Sequence, residues 1–201
     1  MSMKVIGITG PTGAGKTTAL NALRSLGAEV VDADQVYHRL LEECGELKRD
    51  LTRAFGENIL DKEGKIDRRR LAQAVYPDRL EELNALTHPF VVAEVEAMLP
   101  AAEERGCPAL AIDAIALIES GLSQRCHVVA AVLAPKEVRL CRVMERDGIS
   151  EEYARRRIEA QKPDGFYRDH SGFVLENGPE ESQKEFEERA RELFRKILAQ
   201  A

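Results

Sequence analysis

Nothing in the chain approaches the roughly 20 consecutive apolar residues that a membrane-spanning helix needs. The N-terminus runs into an apolar strand-like stretch almost at once and lacks the pattern of a signal peptide. A cytoplasmic protein with no membrane partner is therefore expected. Metal-ligand spacing is missing too. Cys44, Cys107, Cys126 and Cys141 form no C-x-x-C pair, and His38, His88, His127 and His170 are dispersed, so neither a zinc site nor a disulfide framework is expected. The thiols read as reduced and mostly buried. A basic excess is also wanting. Lys and Arg number 29 against 35 Asp and Glu, a net charge of −6, whereas proteins held on nucleic-acid backbones usually carry a basic surface. No nucleic-acid partner is expected. Internal repeats, low-complexity tracts and heptad arrays are absent as well, and oligomeric state is not readable.

What is present suits one domain, with room for a small insertion. The chain has 201 residues, 44% of them hydrophobic, enough for a core, and 32% charged. The informative stretch is Gly10-Pro11-Thr12-Gly13-Ala14-Gly15-Lys16-Thr17, which matches the phosphate-binding pattern G-x-x-x-x-G-K-[ST]. Context strengthens it. Val5 to Ile8 reads as a buried strand, and Ala19, Leu20, Leu23 and Leu26 recur at helical spacing up to Gly27. Glycines let successive backbone N–H groups turn toward one anion, and the helix start adds a partial positive charge. Lys16 can reach the β- and γ-phosphates, and the Thr17 hydroxyl can ligate Mg²⁺. Residues Gly10 to Thr17, with Thr18, are the candidate ATP-binding set. A glycine turn that binds nothing would leave Lys16-Thr17 unexplained.

Further along, Ala28 to Asp34 reads as a second strand ending in two acids, followed by a helix over 35–43. In open parallel sheets ligands collect beyond the carboxyl ends of the strands. Asp32 and Asp34 are thus both candidates to activate an attacking hydroxyl, and both are candidate helix caps. Asp34 lies slightly nearer the loop. Residues 46–105 read as mostly helical, with Asp67 as a cap, a break at Pro77, a helix over 78–87, a second break at His88-Pro89 and a helix over 90–105. That is too much helix for one crossover, so about 36–105 is read as an acceptor-binding insertion. Pro108 to Asp113 is a third strand whose terminal acid has the form that supports Mg²⁺. Glu119 follows on a short helix. His127 to Leu133 is a fourth strand. Helices over 136–147 and 151–161, bearing Arg139, Arg142, Arg146 and Arg155 to Arg157, read as a lid spanning about 142–165. A loop over 162–165, a strand over 173–177 and an amphipathic helix over 180–200 close the chain. The alternation implies an α/β fold, a doubly wound parallel sheet with a helical insertion and a helical lid.

Several runs together resemble the dephospho-coenzyme A kinases, P-loop kinases of the nucleoside-monophosphate-kinase type. They are Val30-Val31-Asp32-Ala33-Asp34, Phe55-Gly56 followed by Gly64 to Leu71, Leu83 to Pro89, Arg156 to Gln161, and Val174 to Gly178. The likeness runs nearly end to end. It implies that ATP, with Mg²⁺, phosphorylates the ribose 3′-hydroxyl of dephospho-CoA to give CoA and ADP. It also implies that Asp34 is the base, that Arg142 or Arg146 contacts phosphate, that Asn177 lies near the adenine, and that His88 belongs to the acceptor pocket. Asp113 and Glu119 complete the acceptor-side candidates, and Asp34 or Asp113 is a candidate to assist Thr17 with the metal through water.

The sequence departs from the family pattern at Pro11, Thr12 and Ala14 of the loop, at Ala114 to Ile118 and at Ser171-Gly172. Two other readings therefore stand beside the first: a kinase of another small acceptor such as a nucleoside or nucleotide, and a catalytically silent binder of ATP or CoA. A guanine-specific Asn-Lys-x-Asp motif is absent.

Overall fold

The structure, a computed structural model, describes residues 3–200. The chain divides into two compact units, one built from the residues up to Val31 and from Leu99 onward, the other from Asp32–Met98.

The first unit carries a five-stranded parallel sheet in the order β2-β3-β1-β4-β5. Its strands are β1 (Lys4–Thr9), β2 (Glu29–Asp32), β3 (Ala109–Asp113), β4 (Val128–Leu133) and β5 (Phe173–Glu176). Side chains alternate across the sheet with period two. Ile6, Ile8, Ala109, Ala111, Ala130, Val132 and Leu175 face one way. There they pack on α1 (Lys16–Ser25) and α9 (Gln183–Ala199), which supply Leu20, Leu23, Phe186 and Phe194. Leu110 faces the opposite way, as do Ala131 and Leu133, which pack against Tyr167. On that side Gly7 leaves space for Leu117 and Cys126, since a Cβ there would lie 2.6 Å from Leu117 Cδ2.

Beyond β4 come α6 (Lys136–Asp147), α7 (Glu151–Glu159) and α8 (Asp164–Asp169). Gly148 ends α6 in the left-handed region, φ 63°, and Ser150 caps α7 through the Tyr153 N–H. The pair holds its own small core of Leu140, Val143, Ala154 and Ile158.

The second unit is helical. It contains α2 (Ala33–Glu43), α3 (Gly45–Phe55), α4 (Arg68–Val75) and the larger part of α5 (Leu80–Glu104). Asp67 caps α4 by accepting from the Arg69 and Arg70 N–H groups. Leu47, Leu51 and Phe55 form the buried stripe of α3, and the Arg79 guanidinium lies 4.4 Å over the Phe55 ring.

Three expectations are corrected. The break at His88-Pro89 does not occur: α5 runs through it as one helix of 25 residues. Proline there removes one backbone bond. The buried stripe of Thr87, Val91 and Val95 continues across it regardless. The Thr87 hydroxyl bonds back to the Leu83 carbonyl at 2.9 Å, a contact of the kind that bends helices. Side-chain burial along a long helix outweighs one local breaker. Second, Glu119 stands on an irregular turn, not a helix. Ser120 N–H reaches Ala116 O, but Gly121 at φ 80° ends the run before a second turn forms. Third, the expected loop at 162–165 gives way at Asp164 to α8, a short helix that seats Tyr167 against the sheet. The cysteines also differ from expectation: Cys141 is exposed, and Cys44, Cys107 and Cys126 are half-buried.

The helix α9 starts at a full capping box. Ser182 Oγ accepts from Glu185 N–H, and the Glu185 carboxylate accepts from the Ser182 N–H at 2.9 Å. Ser182→Ala is expected to lower stability by about 1 kcal/mol. An unchanged urea midpoint would show that the cap contributes nothing.

Candidate active site

The loop between β1 and α1 is held in its curl by what surrounds it. Gly10 has φ 132°, and a Cβ there would lie 2.1 Å from the Val132 carbonyl oxygen of the neighbouring strand. Gly15 has φ 108°, and a Cβ there would lie 2.2 Å from Asn177 Nδ2. Both the left-handed backbone and the lack of room exclude side chains, so the two fixed glycines of the motif are sterically required. No side chain caps α1, and no acid lies in its first turn, which leaves the helix start electropositive. Lys16 Nζ donates to Gly10 O at 2.8 Å and Pro11 O at 3.3 Å, folding over the loop it belongs to. Thr17 is exposed in the first turn, with Thr18 beside it half-buried.

Three residues far away in sequence fasten this loop. Asn177, just past β5, is buried; its Nδ2 donates to Ala14 O at 2.8 Å, and its Oδ1 accepts from Arg142 Nη2 at 3.2 Å. Arg142 Nη1 also reaches Gly13 O and Ala14 O at 3.4 and 3.5 Å. The Thr12 N–H donates to Gln161 Oε1 at 3.0 Å. Of the two candidate lid arginines, only Arg142 lies on the loop. Arg146 is exposed and pairs with Asp147 at 2.7 Å, and Asp147 also takes Arg157 at 2.6 Å. Those two guanidinium partners, Arg146 first, hold the Asp147 carboxyl down at about 2.

Asp113 ends β3 in register with Ile8 of β1, two residues before Gly10, and is half-buried. That pairing brings it to the rim where the loop begins. Glu119 is exposed on its turn, and its charge reaches Tyr167. Burial first, then the Glu119 charge, push the Tyr167 phenol up to about 12, so it stays a protonated donor.

In the second unit, Asp32 accepts from the N–H groups of Asp34 and Gln35 at 2.9 and 3.1 Å. Capping α2 therefore falls to Asp32, and Asp34 is exposed in the first turn. His88 is half-buried within α5. The sequence carried no signal that Gln161 fastens Thr12, because the two are 149 residues apart. Nor did it signal that the Asn177 amide is committed to the loop; the family likeness placed it beside the adenine.

Asn177→Ala would strip the Ala14 carbonyl of its short donor, leaving the 3.5 Å contact from Arg142, and would remove the Oδ1 acceptor that holds Arg142. Nucleotide affinity is expected to fall about 10-fold and stability by about 1–3 kcal/mol, read by titration calorimetry and thermal melting. Full affinity in the variant would show that the brace does not shape the loop.

A family model described as dephospho-CoA kinase matches residues 4–183. A dephospho-CoA kinase of Dehalococcoides mccartyi is 36% identical over 177 residues, covering 87% of this chain and 89% of that protein. The solved structure of TT1252 from Thermus thermophilus shares 35% identity at a TM-score of 0.82, covering 99% of this chain and 100% of that one. A dephospho-CoA kinase from Campylobacter jejuni shares 27% identity at a TM-score of 0.69, with 96% of each chain covered. The matched stretch takes in the phosphate loop, the 32–98 unit and all five strands, and the chain belongs to the dephospho-CoA kinase family.

Proposed function

We propose that the chain transfers the γ-phosphoryl group of ATP to the ribose 3′-hydroxyl of dephospho-CoA, giving CoA and ADP, the last step of coenzyme A synthesis. Family membership over nearly the whole chain carries this reading. The sterically enforced phosphate loop supports it physically.

The roles follow from the chemistry. Main-chain N–H groups of the loop and the Lys16 ammonium grip the triphosphate and offset the charge that builds on it. Asp34 takes the proton of the acceptor hydroxyl as its oxygen attacks the γ-phosphorus, and the bond to the ADP oxygen breaks. Its place in the first turn of α2, exposed and next to the cap residue Asp32, supports that choice. Arg142 is the arginine proposed to meet phosphate. It lies against the loop through long bonds, while Arg146 is taken by Asp147. Thr17, exposed at the helix start, and Asp113, at the rim, offer the hard oxygen ligands that Mg²⁺ prefers, with Asp34 as a further candidate through water. Bound there, Mg²⁺ would neutralise charge on the β- and γ-phosphates. The insertion of about 36–105 is the proposed acceptor-binding part, and Asp34, His88, Asp113 and Glu119 are the proposed acceptor-side residues. The segment of about 142–165 is the proposed lid, excluding water from the transfer. No helix among the described residues is long and apolar enough to cross a membrane. The free cysteines fit a reducing compartment, and we assign the protein to the cytoplasm.

Two experiments test the reading. Asp34→Asn is expected to cut kcat by roughly 10²- to 10⁴-fold while ATP affinity stays within about 2-fold. Near-normal turnover would remove Asp34 as the base. ADP release measured with Mg²⁺-ATP across dephospho-CoA, nucleosides and nucleoside monophosphates should respond to dephospho-CoA alone. A preference for another acceptor, or nucleotide binding with no release, would replace the substrate assignment.

A further inference from the structure

Exposed arginines elsewhere in the chain lie against carboxylates: Arg39 against Glu94, Arg155 against Glu151 and Arg156 against Glu152, at 2.5–2.7 Å. Arg68, the first residue of α4, is held differently. It is exposed, and its Nη2 donates to His38 Nε2 at 3.0 Å. No carboxylate among the described residues forms an ion pair with it. Arg70, two residues on, is by contrast engaged by the Leu60 carbonyl and by Asp67. A guanidinium has only donors, so His38 Nε2 must be the acceptor and the ring proton sits on Nδ1. That Nδ1 is buried, so the ring is seated with Nε2 as the atom that reaches Arg68. The contact fixes the guanidinium in place and leaves its charge uncompensated.

Two tyrosines flank the pair. The Tyr37 ring lies 5.5 Å from that of His38, centroid to centroid. Burial raises the Tyr37 phenol, the Arg68 charge opposes that rise and Tyr76 adds to it, so both side chains are within electrostatic reach of Tyr37. The Tyr76 ring is 62% exposed. Tyr37 and His38 follow Asp34 by three and four residues on α2, the spacing that puts side chains on one helix face with Cβ atoms about 5–6 Å apart. All five residues belong to the same compact unit. The proposed base thus shares a helix face with the residue that holds an exposed cation. In the acceptor, one ribose ring separates the 3′-oxygen from the 5′-diphosphate, a span comparable to the ~5.4 Å pitch of a helical turn.

We propose that Arg68 is an acceptor-binding residue whose guanidinium takes oxygens of the diphosphate joining the adenosine of dephospho-CoA to its pantetheine arm. The proposal rests on the kinase reading given above and on Asp34 as the base at the 3′-hydroxyl. A planar guanidinium offers paired N–H groups that match phosphate oxygens, and here no carboxylate has to be displaced first. Because His38 already holds the side chain, little of its freedom is lost on binding. His38 is a positioning residue, acting through Arg68. The exposed Tyr76 ring offers the arm beyond the diphosphate a surface that is apolar on its face and polar at its tip.

The test compares wild type with Arg68→Lys, Arg68→Gln and Arg68→Glu. Calorimetry measures binding of dephospho-CoA and of the non-hydrolysable β,γ-imido analogue of ATP, and steady-state kinetics separate KM from kcat. Arg68→Gln should lose roughly 10- to 100-fold in affinity for dephospho-CoA, Arg68→Lys less and Arg68→Glu more, with affinity for the ATP analogue within about 2-fold of wild type. KM for dephospho-CoA should rise in the same order while kcat stays within about 3-fold. Unchanged dephospho-CoA affinity in all three variants overturns the proposal. So does a parallel loss for both ligands, or a lower melting temperature with affinities retained, since each marks a structural side chain. A selective loss for the ATP analogue assigns the cation to the nucleotide and overturns it as well. Wild type scores the kinase reading separately. If wild type fails to bind dephospho-CoA, the substrate assignment falls and the Arg68 contact with it; if wild type binds and turns over dephospho-CoA and the variants match it, the Arg68 contact alone falls.

Discussion

The loop between β1 and α1 is shaped by the strands beside it, and the rest of the site depends on that constraint. Gly10 passes so close to the Val132 carbonyl, and Gly15 so close to the Asn177 amide, that only hydrogen fits at either position. The curl is thus imposed from β4 and β5 as much as encoded in its own residues. Because the sheet order sets β4 beside β1 and β5 beside β4, forming the sheet also forms the anion cradle. Little ordering entropy then remains to be lost when an anion arrives, which is the physical benefit of preorganisation.

Charge is arranged around that cradle in two classes. Lys16 and Arg142 rest on carbonyl oxygens of the loop itself, through contacts that a phosphate can replace with stronger, charge-assisted ones. Arg146 and Arg157 share the single carboxylate of Asp147, and Arg155 and Arg156 pair with Glu151 and Glu152 one turn away. The net charge of −6 therefore says little about the site. What matters is which cations rest on the loop, and Lys16 and Arg142 do.

Much of this was legible in the residues because it rests on short-range rules. Strand, glycine loop and helix follow from composition over a couple of dozen positions, and caps such as Asp67 and Ser150 sit where their side chains reach the next turn. The misses share one cause. Whether Pro89 breaks a helix depends on the apolar stripe on both sides of it, not on the proline. Whether the turn bearing Glu119 grows into a helix depends on what Gly121 permits. Position in the strand favoured Asp34 over Asp32 only slightly, and either could have been the cap; the N–H groups from which Asp32 accepts show which of them caps α2. Asn177 and Gln161 act across well over a hundred residues, and no local spacing encodes such partners.

The central claim is that main-chain N–H groups of a pre-shaped loop grip the phosphates of ATP. It is tested most directly by following the backbone amide resonances as ATP and Mg²⁺ are added. The account predicts that the largest shifts fall on Gly13 to Thr18, at concentrations where the flanking strands are undisturbed. Saturable binding that leaves those amides unmoved would contradict it.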